Sequence, residues 1–206
     1  MLLIIDFDGV LFDDRAFKRD YQTLFKSFGI SSELYARAYT ALKENIGYYD
    51  PHKHLREIKK SHPTIDLESI KEAIGKFILT SRRYVYPDSK KILTDIQQTK
   101  TEIVLLSTGP EFQKKKVDAS GLSSLFDRVV IIREPFKSKA VKRILRAHDS
   151  ARVLFIDDKR EVVEEVKRAL PNITVVQMAR ANDQDKSQLV DYVAENLTEI
   201  YSKFFR

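Results

Sequence analysis

Four short apolar runs, each closing on charged or hydroxyl side chains, constrain this chain more than any other feature. Leu2-Leu3-Ile4-Ile5 runs into Asp6-Phe7-Asp8-Gly9, and Ile103-Val104-Leu105-Leu106 into Ser107-Thr108-Gly109-Pro110. Val129-Val130-Ile131-Ile132 passes through Glu134-Pro135-Phe136 to Lys137, and Val153-Leu154-Phe155-Ile156 meets Asp157-Asp158-Lys159. An apolar run of four to eight residues before a turn signal predicts a buried strand. From Pro87 onward these runs alternate with helical spacing, as at Ile92, Leu93 and Ile96. Alternation of this kind predicts an α/β fold: a Rossmann-like parallel sheet sandwiched by helices. Ligands of such sheets bind beyond the carboxyl ends of the strands, so the polar closings are expected to meet there.

The spacing predicts helices over about 88–98, over 111–120 with Gly121 as the stop, from Ser138, and through Val162, Val163, Val166 and Leu170. Thr174 to Met178 reads as a fifth strand. The tail from about Lys186 reads as one helix carrying Leu189, Val193, Leu197, Ile200 and Phe204. Residues 13–86 do not alternate and read as helices only. Phe17, Tyr21, Leu24, Phe25 and Phe28 make one stripe ending near Gly29. Ser31 or Ser32 caps a second helix with Leu34, Ala38 and Leu42 inward. Asp50-Pro51 starts a third, which stops before Pro63, and a fourth runs from about Asp66 through Ile70, Ile74, Phe77 and Ile78. The expected division is a core of residues 1–12 and 87–206 with a helical insertion over 13–86.

At 206 residues, 43% hydrophobic and 32% charged, the chain fits a soluble globular protein with a substantial core. No apolar stretch reaches the ~18 residues that suggest a membrane span. The first apolar run lacks a basic leader, so it does not read as a signal peptide. The absence of cysteine excludes disulfides, thiolate chemistry and cysteine-ligated zinc. A cytoplasmic location is expected. A net charge of +6 favours phosphorylated small molecules, and because the bases are interleaved with acids, nucleic acid is not expected as a partner. Lys114-Lys115-Lys116 reads as an exposed helix face. His52 and His54 do not share a helical face, so they read as solvated rather than metal-binding. A lesser alternative has Tyr48, Tyr49, His52 and Lys53 lining a substrate pocket, while the aromatic residues in general read as core packing.

Asp6 and Asp8 are expected on one side of the pleat, where two acids repel each other unless a cation or proton lies between them. That pattern suggests a metal and a nucleophile. The full ordered set, two acids, a hydroxyl pair, a lysine and two acids, resembles the haloacid dehalogenase (HAD) superfamily, whose members are mostly magnesium-dependent phosphatases. The resemblance extends over nearly the whole chain, and the insertion resembles the helical cap of one class of that family. It implies Mg2+ as cofactor and Asp6 as both a metal ligand and the nucleophile that forms an aspartyl-phosphate. Asp8 would be the general acid and base, its backbone carbonyl also touching the metal. Ser107 would hydrogen-bond a phosphoryl oxygen, and the Thr108 backbone N–H would face the phosphate. The family lysine is often followed by apolar residues three, four and seven positions on. Lys137 meets this with Ala140, Val141 and Ile144; Lys139 does not, and is placed in solvent or near the substrate entrance. Asp158 aligns with the more direct metal ligand, while Asp157 is either an auxiliary ligand or a hydrogen-bond acceptor behind the ligands. Glu161 is either a further site acid or an ordinary first-turn charge. The expected function is magnesium-dependent hydrolysis of a small phosphate monoester. Alternatives are a nucleotidase or nucleic-acid end phosphatase, a phosphomutase, or an inactive HAD-fold binding protein; the last is disfavoured because no motif position is missing.

Overall fold

The computed structural model describes residues 1–46, 48–134, 136–148, 152–180 and 185–206; Pro135, in the third polar exit, lies outside the described residues. Six strands form one sheet: β1 (Leu2–Ile5), β2 (Glu102–Thr108), β3 (Arg128–Ile132), β4 (Val153–Asp157), β5 (Thr174–Met178) and β6 (Tyr192–Ala194). Their order is β3-β2-β1-β4-β5-β6 and every pairing is parallel. Central β1 sets Leu2 opposite Glu102 on one side and Val153 on the other. β2 runs further than expected: Ser107 and Thr108 pair with Ile131 and Ile132, so Thr108 ends the strand rather than lying beyond it.

Nine α-helices are described: α1 (Asp14–Ser27), α2 (Ser32–Ile46), α3 (Pro51–Ser61), α4 (Leu67–Ile78), α5 (Pro87–Gln97), α6 (Glu111–Ala119), α7 (Lys137–Leu145), α8 (Arg160–Ala169) and α9 (Leu197–Phe204). Because strand side chains alternate, β1 feeds two cores. Leu2 and Ile4 pack with Val141 and Ile144 of α7 and Val163 and Val166 of α8. Leu3 and Ile5 belong to the core that includes Leu93 of α5, Val117 of α6 and Ile200 of α9. Burying each such aliphatic side chain contributes about 1.5–3 kcal/mol, which is why the apolar runs resolve into strands buried on both faces.

The expected single tail helix is corrected. Tyr192–Ala194 is an edge strand, and the helix starts only at Leu197, where the Asn196 side chain accepts from Glu199 N. Leu189, Val193 and Leu197 fall at helical intervals by coincidence, and Leu189 is 47% exposed. A three-residue strand is too short to show its own period.

The insertion forms the helical layer expected of it. Asp13, Asp50 and Asp66 cap α1, α3 and α4 through their side chains, and Ser31 Oγ accepts from Leu34 N at the start of α2. His54 is not solvated: it is fully buried on the stripe Pro51, His54, Leu55 and Ile58. Its Nε2 lies 3.0 Å from the Tyr35 carbonyl and its Nδ1 3.1 Å from the Tyr49 hydroxyl. Burial pushes its pKa down to about 4, so the ring is neutral, donating from Nε2 and accepting at Nδ1. The two connections to the sheet layer run side by side, Asp13 N donating to Tyr84 O and Tyr86 N to Leu11 O. Arg180 braces them, donating to Val10 O and to both oxygens of Asp88. Among the described residues no helix is long and apolar enough to cross a membrane.

Candidate active site

The chain leaves β1 toward β2 and β3, then returns to β4 on the other side, so the strand order reverses beside β1. Such a reversal opens a crevice at the carboxyl ends of the strands. Asp6 N donates to Ile156 O at 2.9 Å, which holds Asp6 beside the exit of β4. Gly9 completes the approach. Its φ is +73°, and a Cβ there would stand 2.2 Å from Asp158 Oδ2. Only glycine lets the first loop turn this tightly against the fourth.

One oxygen each of Asp6, Asp157 and Asp158 lies within 4.8 Å of the others. Lys137 Nζ is 2.7 Å from Asp157 Oδ2 and 2.8 Å from Asp6 Oδ1, and all three side chains are buried. Asp157 also accepts from Lys159 N. Asp6 Oδ1 has the ammonium beside it but no aligned hydrogen-bond donor, and Asp158 Oδ1 has no partner. Burial, then the Asp157 and Asp6 charges, pushes the Asp158 carboxyl up to about 8. Burial also raises Asp6, against the pull of Lys137. Crowded, under-satisfied, hard carboxylate oxygens are the donor set that magnesium takes. The residues therefore fit a divalent cation held by Asp6 and Asp158, with Asp157 already engaged by Lys137.

Asp8 is held separately. Lys116 Nζ donates to its Oδ1 at 2.6 Å, and Gln113 Nε2 to its Oδ2 at 2.9 Å and to Ser107 Oγ at 3.0 Å. Lys116 is 3% exposed, so the expectation of an exposed Lys114–Lys116 face fails at its last member. Its ammonium also lies 5.0 Å from the Phe12 ring centroid, 5.2 Å from that of Phe17, and 3.8 Å from Asp14 Oδ1. Burial raises the Asp8 carboxyl, and Lys116 opposes it.

These groups share a cavity of about 390 Å³ whose lining includes Asp6, Asp8, Ser107, Thr108, Lys137 and Asp158. Lys159 and Glu161 line it too, whereas Lys139 is exposed and does not. Asp157 lies behind Lys137, fully buried. From the helical layer Tyr48 and Tyr49 reach this cavity; His52 lines a separate one, and Lys53 lines neither. Sequence reasoning missed Gln113, Lys116 and Lys159. Gln113, Lys116, Val117 and Ser120 do repeat at helical intervals, and that stripe was the available signal.

Fold and geometry define an α/β protein with an acidic site at the carboxyl ends of its parallel strands. A model of the haloacid dehalogenase-like hydrolase family matches residues 1–169, and the chain belongs to that family. No curated protein matches it in sequence. Among solved structures, a protein described as a haloacid dehalogenase-like hydrolase from Burkholderia xenovorans LB400 is similar with a TM-score of 0.80 and 18% identity, over 99% of this chain and 96% of that one. An HAD phosphatase from Thermococcus onnurineus is similar with a TM-score of 0.65 and 20% identity, over 98% and 96%. An L-2-haloacid dehalogenase from Xanthobacter autotrophicus, with chloropropionic acid covalently bound, has a TM-score of 0.68 and 17% identity, over 100% and 99%. At these identities the likeness is one of fold, and that fold carries more than one chemistry.

Proposed function

We propose that the chain is a magnesium-dependent phosphatase that hydrolyses a small phosphate monoester through an aspartyl-phosphate on Asp6. The observation that carries this reading is Asp8, a second carboxylate at the cavity with both oxygens held by donors of α6. Displacing a halide leaves no alkoxide to protonate, whereas a phosphate ester needs a proton at its leaving oxygen. Asp8 gives the reading that proton donor.

In the proposed sequence, an Asp6 carboxylate oxygen attacks phosphorus and the ester P–O bond breaks. The leaving oxygen takes its proton from Asp8 and departs as the alcohol. Asp8, now ionised, removes a proton from the water that attacks phosphorus, the bond to Asp6 breaks, and inorganic phosphate leaves. Between the two steps Asp8 is a carboxylate, and Lys116 and Gln113, which both donate to it, steady that form. Ser107 and the Thr108 backbone N–H bind phosphoryl oxygens, and Lys137 offsets charge on Asp6 and the transferring group. Two unit charges ~4 Å apart interact by about 4 kcal/mol at an effective dielectric of 20, so a carboxylate meets a phosphate dianion only if that repulsion is offset. Bound by Asp6 and Asp158, with the Asp8 carbonyl as a further oxygen and Asp157 held behind them by Lys137, magnesium would supply that neutralisation. Residues 13–86 serve as a cap that excludes water from the site.

The test is phosphate release from an aryl phosphate, with and without magnesium. Release is expected to require the metal, to stop with chelator, and to vanish in Asp6→Asn. Asp8→Asn should slow poor leaving groups far more than good ones. Substantial activity in Asp6→Asn would overturn the covalent route, and equal losses across the leaving-group series would remove Asp8 as the acid.

A further inference from the structure

We infer that the leaving group of the substrate is a planar aromatic group, which stacks in a tyrosine slot above the phosphate site; this inference rests on the phosphatase reading. The cavity continues from Asp6 and Asp8 into the helical layer. There its lining is Phe17, Tyr35, Tyr39, Tyr48, Tyr49 and Phe112. The Tyr39 ring lies nearly parallel to its neighbours, 6.4 Å and 11° from Tyr35 and 5.6 Å and 27° from Tyr49. Phe112 meets Tyr49 edge-on at 5.6 Å. Phe112 belongs to α6, the helix that supplies Gln113 and Lys116 to Asp8, so one rigid element spaces the slot from the phosphate site.

Core packing does not account for this cluster. Interiors hold few voids larger than a water molecule, and the whole cavity, phosphate site included, measures about 390 Å³, the size of a small-ligand pocket. Tyr39, Tyr48 and Tyr49 remain half-buried around it. The wall is also fixed in advance. The Tyr49 hydroxyl lies 3.1 Å from both the Tyr21 hydroxyl and His54 Nδ1, and His54 is anchored on the Tyr35 carbonyl. Those polar atoms are used within the wall, which holds the Tyr49 ring in place beside the cavity. Aromatic faces reward a flat ring beyond the area it buries, which a saturated ring of equal bulk does not gain. A cationic head group is the other guest of aromatic cages. The carboxylate that α1 brings to the cavity, Asp14, is committed to Lys18 at 2.5 Å and also lies 3.8 Å from Lys116, so such a guest would meet cations rather than a counter-ion.

The test compares binding of three non-hydrolysable probes by calorimetry, with magnesium chloride present: 2-phenylethylphosphonate, 2-cyclohexylethylphosphonate and 2-(trimethylammonio)ethylphosphonate. Turnover of acetyl phosphate, which lacks a ring, is measured in parallel and reports on the phosphatase reading alone. The phenyl probe is expected to bind roughly 10-fold more tightly than the cyclohexyl one. Tyr39→Leu should erase that preference and Tyr39→Phe should keep it, since the phenylalanine ring stacks equally well. Equal binding of the phenyl and cyclohexyl probes, tighter binding of the ammonium probe, or binding of none overturns the slot, whatever acetyl phosphate shows. A phenyl preference without acetyl phosphate turnover would sustain the slot while the phosphatase reading fell.

Discussion

Lys137 and Lys139 stand two residues apart and have opposite surroundings. Lys137 Nζ touches Asp6 and Asp157 in the buried site, whereas Lys139 is exposed. Burial pushes the Lys137 ammonium pKa down, but Asp157 and Asp6 more than compensate and hold it above its ordinary value. Lys137→Ala is therefore expected to lose ~100-fold or more in turnover, and to melt earlier because two buried carboxylates lose their counter-ion. Lys139→Ala should change neither measurement. Gly9→Ala is expected to be nearly as damaging as losing a ligand, since its Cβ would occupy the space of the Asp158 carboxylate. Magnesium titration monitored by calorimetry should show the affinity falling with the variant still folded. Asp6, Asp8, Lys137 and the Asp157-Asp158 pair could be read from sequence because each follows an apolar strand, where chain position fixes spatial position. Lys116 was harder: its partner Asp8 is 108 residues away, and the one local sign of its burial is the helical stripe it shares with Gln113, Val117 and Ser120.

At the scale of elements, the strands and caps were legible and the buried polar stripes were not. β3 and β5 fall on the residues the apolar runs mark, and Asp50-Pro51 and Asp66 begin helices as their chemistry requires. The tail failed because β6 is a partner-made strand: it exists by pairing with β5, not by its own pattern. α3 failed at one residue, since a histidine at an inward position reads the same as one in solvent. His54 now yields a prediction. Its folded pKa is about 4 against 6.5 unfolded, so between those values the unfolded chain binds more protons. Stability is then lost as pH falls from about 6.5 toward 4. His54→Phe removes that dependence, but loses the bonds to the Tyr35 carbonyl and the Tyr49 hydroxyl at a cost of about 1–3 kcal/mol. Thermal melts at pH 5 and pH 7 should show wild type losing more stability on acidification than His54→Phe, although the variant melts lower at pH 7. Parallel loss in both proteins would mean the imidazole is not held neutral.

For the molecule as a whole, the site and the helical layer act on stability with opposite signs. Asp158, raised to about 8 against an ordinary 3.8, holds a proton in the metal-free native state that the unfolded chain has already released. Where the folded state binds more protons, stability falls as pH rises. Asp6 and Asp8 are raised as well and push the same way. Between pH 4 and 6.5 the His54 effect opposes this trend and partly cancels it. Above 6.5 His54 no longer titrates, and the carboxylates stand alone. In chelator the melting temperature is therefore expected to drop from pH 6.5 to pH 8. A divalent cation competes with the proton for the same oxygens, so its binding strengthens over that interval and stabilises the native state by mass action. With magnesium the drop should shrink or reverse, and the gap between the two melting curves should widen with pH. Asp158→Asn removes the titrating group and a metal ligand together; its melting temperature should depend less on pH than the wild type's in chelator and respond weakly to magnesium. A magnesium effect that stayed constant from pH 6.5 to 8 would mean that proton and metal do not share those oxygens.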